Sequence, residues 1–308
     1  MTWLLLAAGL GLLLASGEFL VRGAAGVARA FGVSPLFIGL TLVGFGTSVP
    51  ELVASLIAAF RGSPGIAVGN VVGSNIANLL LILALTAVIA PVAIFRQPYH
   101  RDALVLALSA LVATAVILLG ELHRSAGIVM ILLLLGYVVL SYRMEQGKVG
   151  AADAVAVSSA RGWGVPLLVT LGALAGVVLG ARLLVDAAIL LAREFGVAET
   201  VIGLTVVAVG TSLPELAVCV IAALRGQGAV AVGNVVGSNI YNVFFILGAT
   251  ALVRPIPVPA ELAGLDVWVL IGVSACMCVF MLRGQTLGRL AGVAGLAGYA
   301  AYLGATFS

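Results

Sequence analysis

Two glutamates stand where an apolar chain has least reason to keep them. Glu51 closes the run Gly46-Thr47-Ser48-Val49-Pro50-Glu51, and Glu215 closes Gly210-Thr211-Ser212-Leu213-Pro214-Glu215, each in the middle of a long hydrophobic stretch. An ionisable side chain at that depth in a bilayer costs about 2.5 to 3.5 kcal/mol even on lenient insertion scales, so it is read first as functional. Each proline lacks the N–H that would bond the carbonyl four residues earlier, at Gly46 or Gly210, and leaves an acceptor free. Irregular backbone at membrane depth persists only where it lines a cavity or meets a partner. The hydroxyls of Thr47, Ser48, Thr211 and Ser212 lie one turn or less from the acids. Further along, Ser74 and Asn78, like Ser238 and Asn242, are four residues apart and share a helix face.

Carboxylates, hydroxyls, amide carbonyls and freed backbone carbonyls are all hard oxygen donors, with no His or Cys among them, which argues against zinc, copper and iron. Ca2+ takes six to eight oxygens in flexible geometry, whereas Mg2+ holds on to its waters. Two glutamates balance one Ca2+, and several Na+ ions competing for the same carboxylates would suit antiport. Asn70, Asn75, Asn234 and Asn239 stand between two readings, further ligands or hydrogen bonds between helices.

The elements that carry these residues are written twice. Residues 39–83 return as 203–247 at a constant offset, identical at roughly 28 of 45 positions. The shared residues are concentrated in Gly, Thr, Ser, Pro, Glu and Asn, which hydrophobicity alone does not select. The 308 residues are 63% hydrophobic and 9% charged, with mean hydropathy +1.26, which describes an integral membrane protein. Apolar runs near 20 residues suit helices crossing about 30 Å of hydrocarbon, and they lack the alternation of a membrane barrel. Breaks at charged or Gly/Pro turns give about ten spans, near 2–28, 33–60, 65–90, 101–119, 125–142, 163–192, 197–224, 229–253, 261–282 and 286–306. The N-terminal stretch has no basic leader and reads as the first span, not a signal peptide. Gly65, Gly69 and Gly73, with Ala229, Gly233 and Gly237, are spaced to let another helix come close.

Five spans separate corresponding points, so the second copy enters the bilayer upside down. The expected fold is an all-α membrane protein: ten transmembrane helices as two inverted-topology five-helix repeats, 1–142 and 163–308, joined by a polar cytoplasmic linker at 143–162. Loop arginines and Lys148 concentrate on the linker's side, which the positive-inside rule makes cytoplasmic, so both termini of this cell-membrane protein are expected outside. The net charge of +3 reflects that orientation and not nucleic-acid binding. Cys219, Cys276 and Cys278 lie in apolar runs and read as packing residues. Glu18 with Arg22, and Arg182 with Asp186, are opposite charges one turn apart with signs exchanged between repeats. They read either as self-neutralised charge or as a gate or sliding contact.

In its paired G-T-S-x-P-E and G-S-N-I-x-N motifs the chain resembles the calcium/cation antiporter superfamily, specifically the prokaryotic Na+/Ca2+ exchangers, and the resemblance spans nearly the whole chain. It implies a secondary antiporter that exchanges Ca2+ for Na+ by alternating access and needs no cofactor. It also implies central Ca2+ ligation by Glu51 and Glu215, with Thr47, Ser48, Ser74, Thr211, Ser212 and Ser238 supplying oxygens to flanking Na+ sites. Backbone carbonyls of Gly44 and Ala208, and central roles for Asn78 and Asn242, follow from the same resemblance. Asn242 departs from it, since well-known exchangers carry Asp there, which bears on protons, K+ and the ion ratio. H+/Ca2+ or K+-dependent exchange is the neighbouring alternative, and a cation channel is the reading from another class. An enzyme is not expected: His100 and His123 fall in predicted loops, leaving Ser74 and Ser238 without a base.

Overall fold

The computed structural model describes residues 2–60, 64–94, 99–145, 162–195, 208–258 and 260–306. Most of the expected linker, and the first residues of the second repeated stretch, lie outside that set. The described chain is almost entirely helical. Helix α1 (Thr2–Phe31) stops where Gly32 takes a positive φ of 62°, a conformation that glycine adopts without strain. Ser34 restarts the chain, its hydroxyl accepting the Phe37 N–H at 3.1 Å with Pro35 in the first turn.

The second span is built from α2 (Pro35–Ile38), a π-helical turn π1 (Gly39–Val43), α3 (Gly44–Thr47) and α4 (Val49–Phe60). Its two arms bend by 42° at Ser48, whose φ and ψ are −80° and 3°. The third combines α5 (Pro64–Ala77), π2 (Asn78–Ile82) and α6 (Leu83–Ile89). Helices α7 (Tyr99–Leu119) and α8 (Arg124–Glu145) follow, then the long α9 (Gly164–Glu194). Next are α10 (Ala208–Thr211), a break at Ser212 with φ −92° and ψ 3°, and α11 (Leu213–Leu224). The chain closes with α12 (Gly228–Tyr241), π3 (Asn242–Leu247), α13 (Gly248–Val253), α14 (Leu265–Arg283) and α15 (Arg289–Thr306). Among the described residues seven helices are long and apolar enough to cross a membrane, or eight with the bent second span. The chain is a multi-pass membrane protein.

The spans that carry the polar stripes form the centre. From Gly228 to Val253, 94% of the most apolar window is buried within the protein, against 28% for α9. Backbone contact makes this possible: a Cβ on Gly237 would stand 2.3 Å from the Leu40 carbonyl, and one on Gly233 2.7 Å from that of Leu36. The close approach expected of those two glycines is present. Helices α1 and α9 run antiparallel along a similar seam, where a Cβ on Gly180 would meet Leu13 N at 2.6 Å and one on Gly9 would meet Leu184 N at 2.7 Å.

Several contacts occur as corresponding pairs. Tyr137 donates to Asp102 Oδ1 at 2.8 Å, tying α7 to α8, and Tyr302 donates to Asp266 Oδ1 at 2.6 Å, tying α14 to α15. The glycine Gly127 of α8 lies against the Gly248 carbonyl, and Gly292 of α15 against that of Ala84. Val92 bridges Leu287, and Ile256 pairs with Leu122 in a two-residue antiparallel ladder. His100, expected in a loop, is in the first turn of α7, because the helix starts two residues early with Asp102 favourably near its N-terminus.

Candidate cation site

The site is built at the two helix breaks. Proline at positions 50 and 214 removes the N–H that would bond the carbonyl of Gly46 or Gly210, and the chain kinks at Ser48 and Ser212 in the same way on both sides. Helices α4 and α11 restart immediately after, so Glu51 and Glu215 both sit in a first helical turn, where negative charge is favoured. Each is 1% exposed. The carboxylates come from opposite halves and lie close enough for their charges to interact. The Thr47 hydroxyl, from the first half, lies 3.4 Å from Ser238 Oγ of the second.

The second layer comes from α5–π2 and α12–π3, which both change from α to π geometry at the twin residues Asn78 and Asn242. Such wide turns recur at functional sites. Asn78 donates through Nδ2 to Asn239 Oδ1 at 2.8 Å, and Asn242 donates to Asn75 Oδ1 at 2.9 Å. Asn75 and Asn239 complete the bracket by donating to each other's backbone carbonyl, both at 3.2 Å. With their amide nitrogens anchored, Asn78 and Asn242 keep their Oδ1 atoms turned elsewhere.

Among the described residues those two buried oxygens have no hydrogen-bond partner, and neither do Ser48 Oγ, Glu51 Oε2 and Glu215 Oε2. Buried acceptors without a partner are rare and call for an unrepresented water or ion. Three further unpaired atoms among the described residues, on Arg101, Asp102 and Ser141, belong to a separate cluster between α7 and α8.

The remaining expected ligands surround this set. Thr47 donates to Asn234 Oδ1 at 3.0 Å, and Ser238 donates to the Gly44 carbonyl at 3.3 Å, so oxygens of both halves converge there. Gly44 has to be small, since a Cβ would meet Ser238 N at 3.1 Å. Ser74 is buried on α5, one turn before Asn78, and Ser212 is buried in the break. Thr211 ends α10 and Ala208 begins it.

Spacing alone leaves the other four asparagines between ligand and hydrogen-bonding roles, and the structure gives them hydrogen bonds between helices. Asn70 donates to the Glu51 carbonyl at 3.1 Å and to Ser55 Oγ at 3.0 Å; Asn234 donates to the Glu215 carbonyl at 3.5 Å and to Cys219 Sγ at 3.3 Å. They hold the backbone of the two acids. Their signal was available, because residues 55 and 219 are twin positions bearing small polarizable groups, Ser and Cys. The Glu18–Arg22 pair is also more than a local one: Arg225, just past α11, donates to Glu18 from Nε at 2.8 Å and Nη2 at 2.7 Å, joining α1 to α11. Arg182 and Asp186 stay exposed and are 3.9 Å apart.

Comparison with known proteins places the whole chain in a family. The family model for sodium/calcium exchanger protein matches residues 1–143 and 165–307. The chain is 33% identical to sodium/calcium exchanger MaX1 of Methanosarcina acetivorans over 98% of its own length and 97% of the relative's. It is 35% identical to inner membrane protein YrbG of Escherichia coli over 82% of its own length and 79% of that protein's. Among solved structures it superposes on the sodium-calcium exchanger NCX_Mj, soaked with 10 mM Na+ and zero Ca2+, with a TM-score of 0.85 and 32% identity, covering 98% of each chain. With both halves matched and the resemblance running nearly end to end, the chain belongs to the sodium/calcium exchanger protein family.

Proposed function

We propose that Glu51 and Glu215 hold a Ca2+ ion between the two halves, and that Na+ ions displace it during exchange across the cell membrane. Five buried, unpaired oxygens on Ser48, Glu51, Asn78, Glu215 and Asn242 carry this reading. They fit a hard cation that takes six to eight oxygen ligands, two of them charged. The hydroxyls of Thr47, Ser74, Thr211, Ser212 and Ser238, with the carbonyls of Gly44 and Ala208, complete the coordination and form the flanking Na+ positions. Competition for shared carboxylates couples the two fluxes, because either cargo leaves the pair neutralised and neither can join the other at full charge.

The same proposal includes ten spans in two inverted halves, with α10–α11 and α15 completing the count. The corresponding Asp–Tyr pairs, glycine contacts and strand bridges support it. The positions 143–162 then connect the halves on the cytoplasmic side, both termini face outward, and the physiological direction is Ca2+ extrusion.

Ca2+-loaded proteoliposomes test the assignment. An imposed Na+ gradient drives Ca2+ efflux through the parent protein, and Glu51→Gln and Glu215→Gln abolish it while the protein still inserts and elutes as a folded species. Normal flux in both variants refutes the site. Efflux driven by a pH gradient and not by Na+ replaces Na+ with protons as the counter-ion, and flux with no counter-ion gradient indicates a channel.

A further inference from the structure

The two halves correspond closely, and one place where they do not leaves a hole. A cavity of about 410 Å³ lies between π2–α6, α14 and α15. Leu79, Leu80 and Leu83 form one wall and Met277 and Phe280 another. The register of its walls is fixed by paired contacts: Gly292 on Ala84 matches Gly127 on Gly248, and Tyr302–Asp266 matches Tyr137–Asp102. In that register the cavity residues Leu80, Gly272 and Gly295 stand where the twin region has Phe244, Leu108 and Met130. Phe244 is 1% exposed and Met130 3%. There the buried Phe244 and Met130 provide the volume, with Leu108 left exposed; here Leu80 and Gly295 withhold it and Gly272 leaves the flank open.

Something apolar has to supply it instead. Among the described residues the lining offers no charged, amide or hydroxyl side chain, and a buried water needs two to four polar partners. Gly272 and Cys276, both exposed, line the cavity midway along α14, a span that crosses the membrane. The opening therefore faces hydrocarbon, where the only abundant species is the lipid chain.

We propose that this cavity is a binding site for one acyl chain of a membrane phospholipid. The chain enters past Gly272 and lies against Leu79 and Leu80, the two residues that follow Asn78 in π2. It takes the place that Phe244 and Met130 fill in the other half. The proposal depends on the chain crossing a membrane and not on which cation the glutamates hold.

Native mass spectrometry of protein released from nanodiscs of palmitoyl-oleoyl-phosphatidylglycerol tests it. The parent protein keeps one lipid under activation that strips the rest. Gly272→Leu fills the opening, and since no described atom lies within 4 Å of the added Cβ, the helix packing is undisturbed. Leu80→Phe installs the side chain that the twin position already accommodates. Each variant lowers the one-lipid population about tenfold, equivalent to about 1.4 kcal/mol of lost lipid affinity. Equal retention by the parent and both variants overturns the proposal, as does a parent protein that sheds its last lipid together with the others.

Discussion

Asn75 touches no proposed ion, yet its removal is expected to weaken ion binding. Its Oδ1 accepts from Asn242 Nδ2 at 2.9 Å, and its Nδ2 donates to the Asn239 carbonyl at 3.2 Å; it is 2% exposed. Asn75→Ala deletes both bonds and leaves the Asn242 amide free to rotate, so its oxygen no longer faces the cation site by default. Two terms compete in the outcome. Leaving a buried donor and acceptor unpaired costs about 1–3 kcal/mol each in a soluble interior. In membranes the same bonds average about 0.6 kcal/mol, because the unfolded helices find other partners. The smaller figure governs stability, so the variant folds.

Binding has a different reference state, the folded protein with a loosened amide, and re-fixing that side chain costs about 0.5–1.5 kcal/mol. This is about a 2- to 10-fold rise in half-saturating Ca2+ at 1.4 kcal/mol per factor of ten. The assay is Na+-gradient-driven 45Ca2+ uptake into proteoliposomes as a function of external Ca2+. Half-saturation moves while the maximal rate stays close to the parent value, and Asn239→Ala, acting on Asn78 through the mirror bond, does the same. A folded Asn75→Ala protein with an unchanged Ca2+ curve would falsify the bracket, because Asn242 would then be oriented by something else.

Asn242→Asp replaces the Nδ2 donor to Asn75 with an oxygen and adds a third acid beside two others, giving protons a further place to compete. Acidifying from weakly alkaline to weakly acidic buffer is expected to inhibit this variant more steeply than the parent in the same flux assay; parallel pH curves would exclude Asn242 from the site. Gly180→Val drives a side chain into the Leu13 backbone, where a Cβ already stands 2.6 Å from Leu13 N. It should destabilise by about 1–3 kcal/mol, read as a lower midpoint in a detergent thermal melt, with reduced exchange. Tyr137→Phe withdraws the 2.8 Å hydrogen bond to the fully buried Asp102 and should cost about 0.6–1.7 kcal/mol, the membrane range, without changing half-saturating Ca2+. A shift in the Ca2+ curve for Tyr137→Phe would connect the α7–α8 cluster to the ion site.

The acids, the broken helices and the twin polar stripes were legible in the sequence because each is costly in a bilayer. Pro50 removes a hydrogen bond and Glu51 resists burial, so their presence in an apolar run already states a purpose. The asparagine roles were not legible, because spacing places Asn75 and Asn78 near one another without saying which amide faces which. That depends on the close approach of α5 and α12, where Asn75 and Asn239 can bond only across the halves. Asp102 escaped notice for a related reason: beside Arg101 at the end of a span it looks like solvated charge. In the folded protein it is fully buried, with Arg101 Nε at 2.7 Å and the Tyr137 hydroxyl as partners.

The unequal fate of matching residues leads one step further. Duplication gave both halves the same oxygen donors, and the proposed ion site uses them in mirror pairs, so neither glutamate can be altered alone without unbalancing the charge held between the halves. Away from the site that restraint disappears. Met130 against Gly295, Leu108 against Gly272 and Phe244 against Leu80 each change volume and not charge; the first two pairs lie on helices around the core, and the third lies on π3 and π2, just past the twin asparagines. Glu18 against Arg182 exchanges sign, but on the mostly exposed pair α1 and α9, where Glu18 also reaches a third partner, Arg225. Divergence is thus distributed by electrostatic cost: the buried carboxylates stay identical, while the surrounding helices differ in packing and in their ties to the core. Such differences let the inward- and outward-open states of the proposed cycle differ in energy, whereas two fully equivalent inverted halves would favour neither side of the membrane.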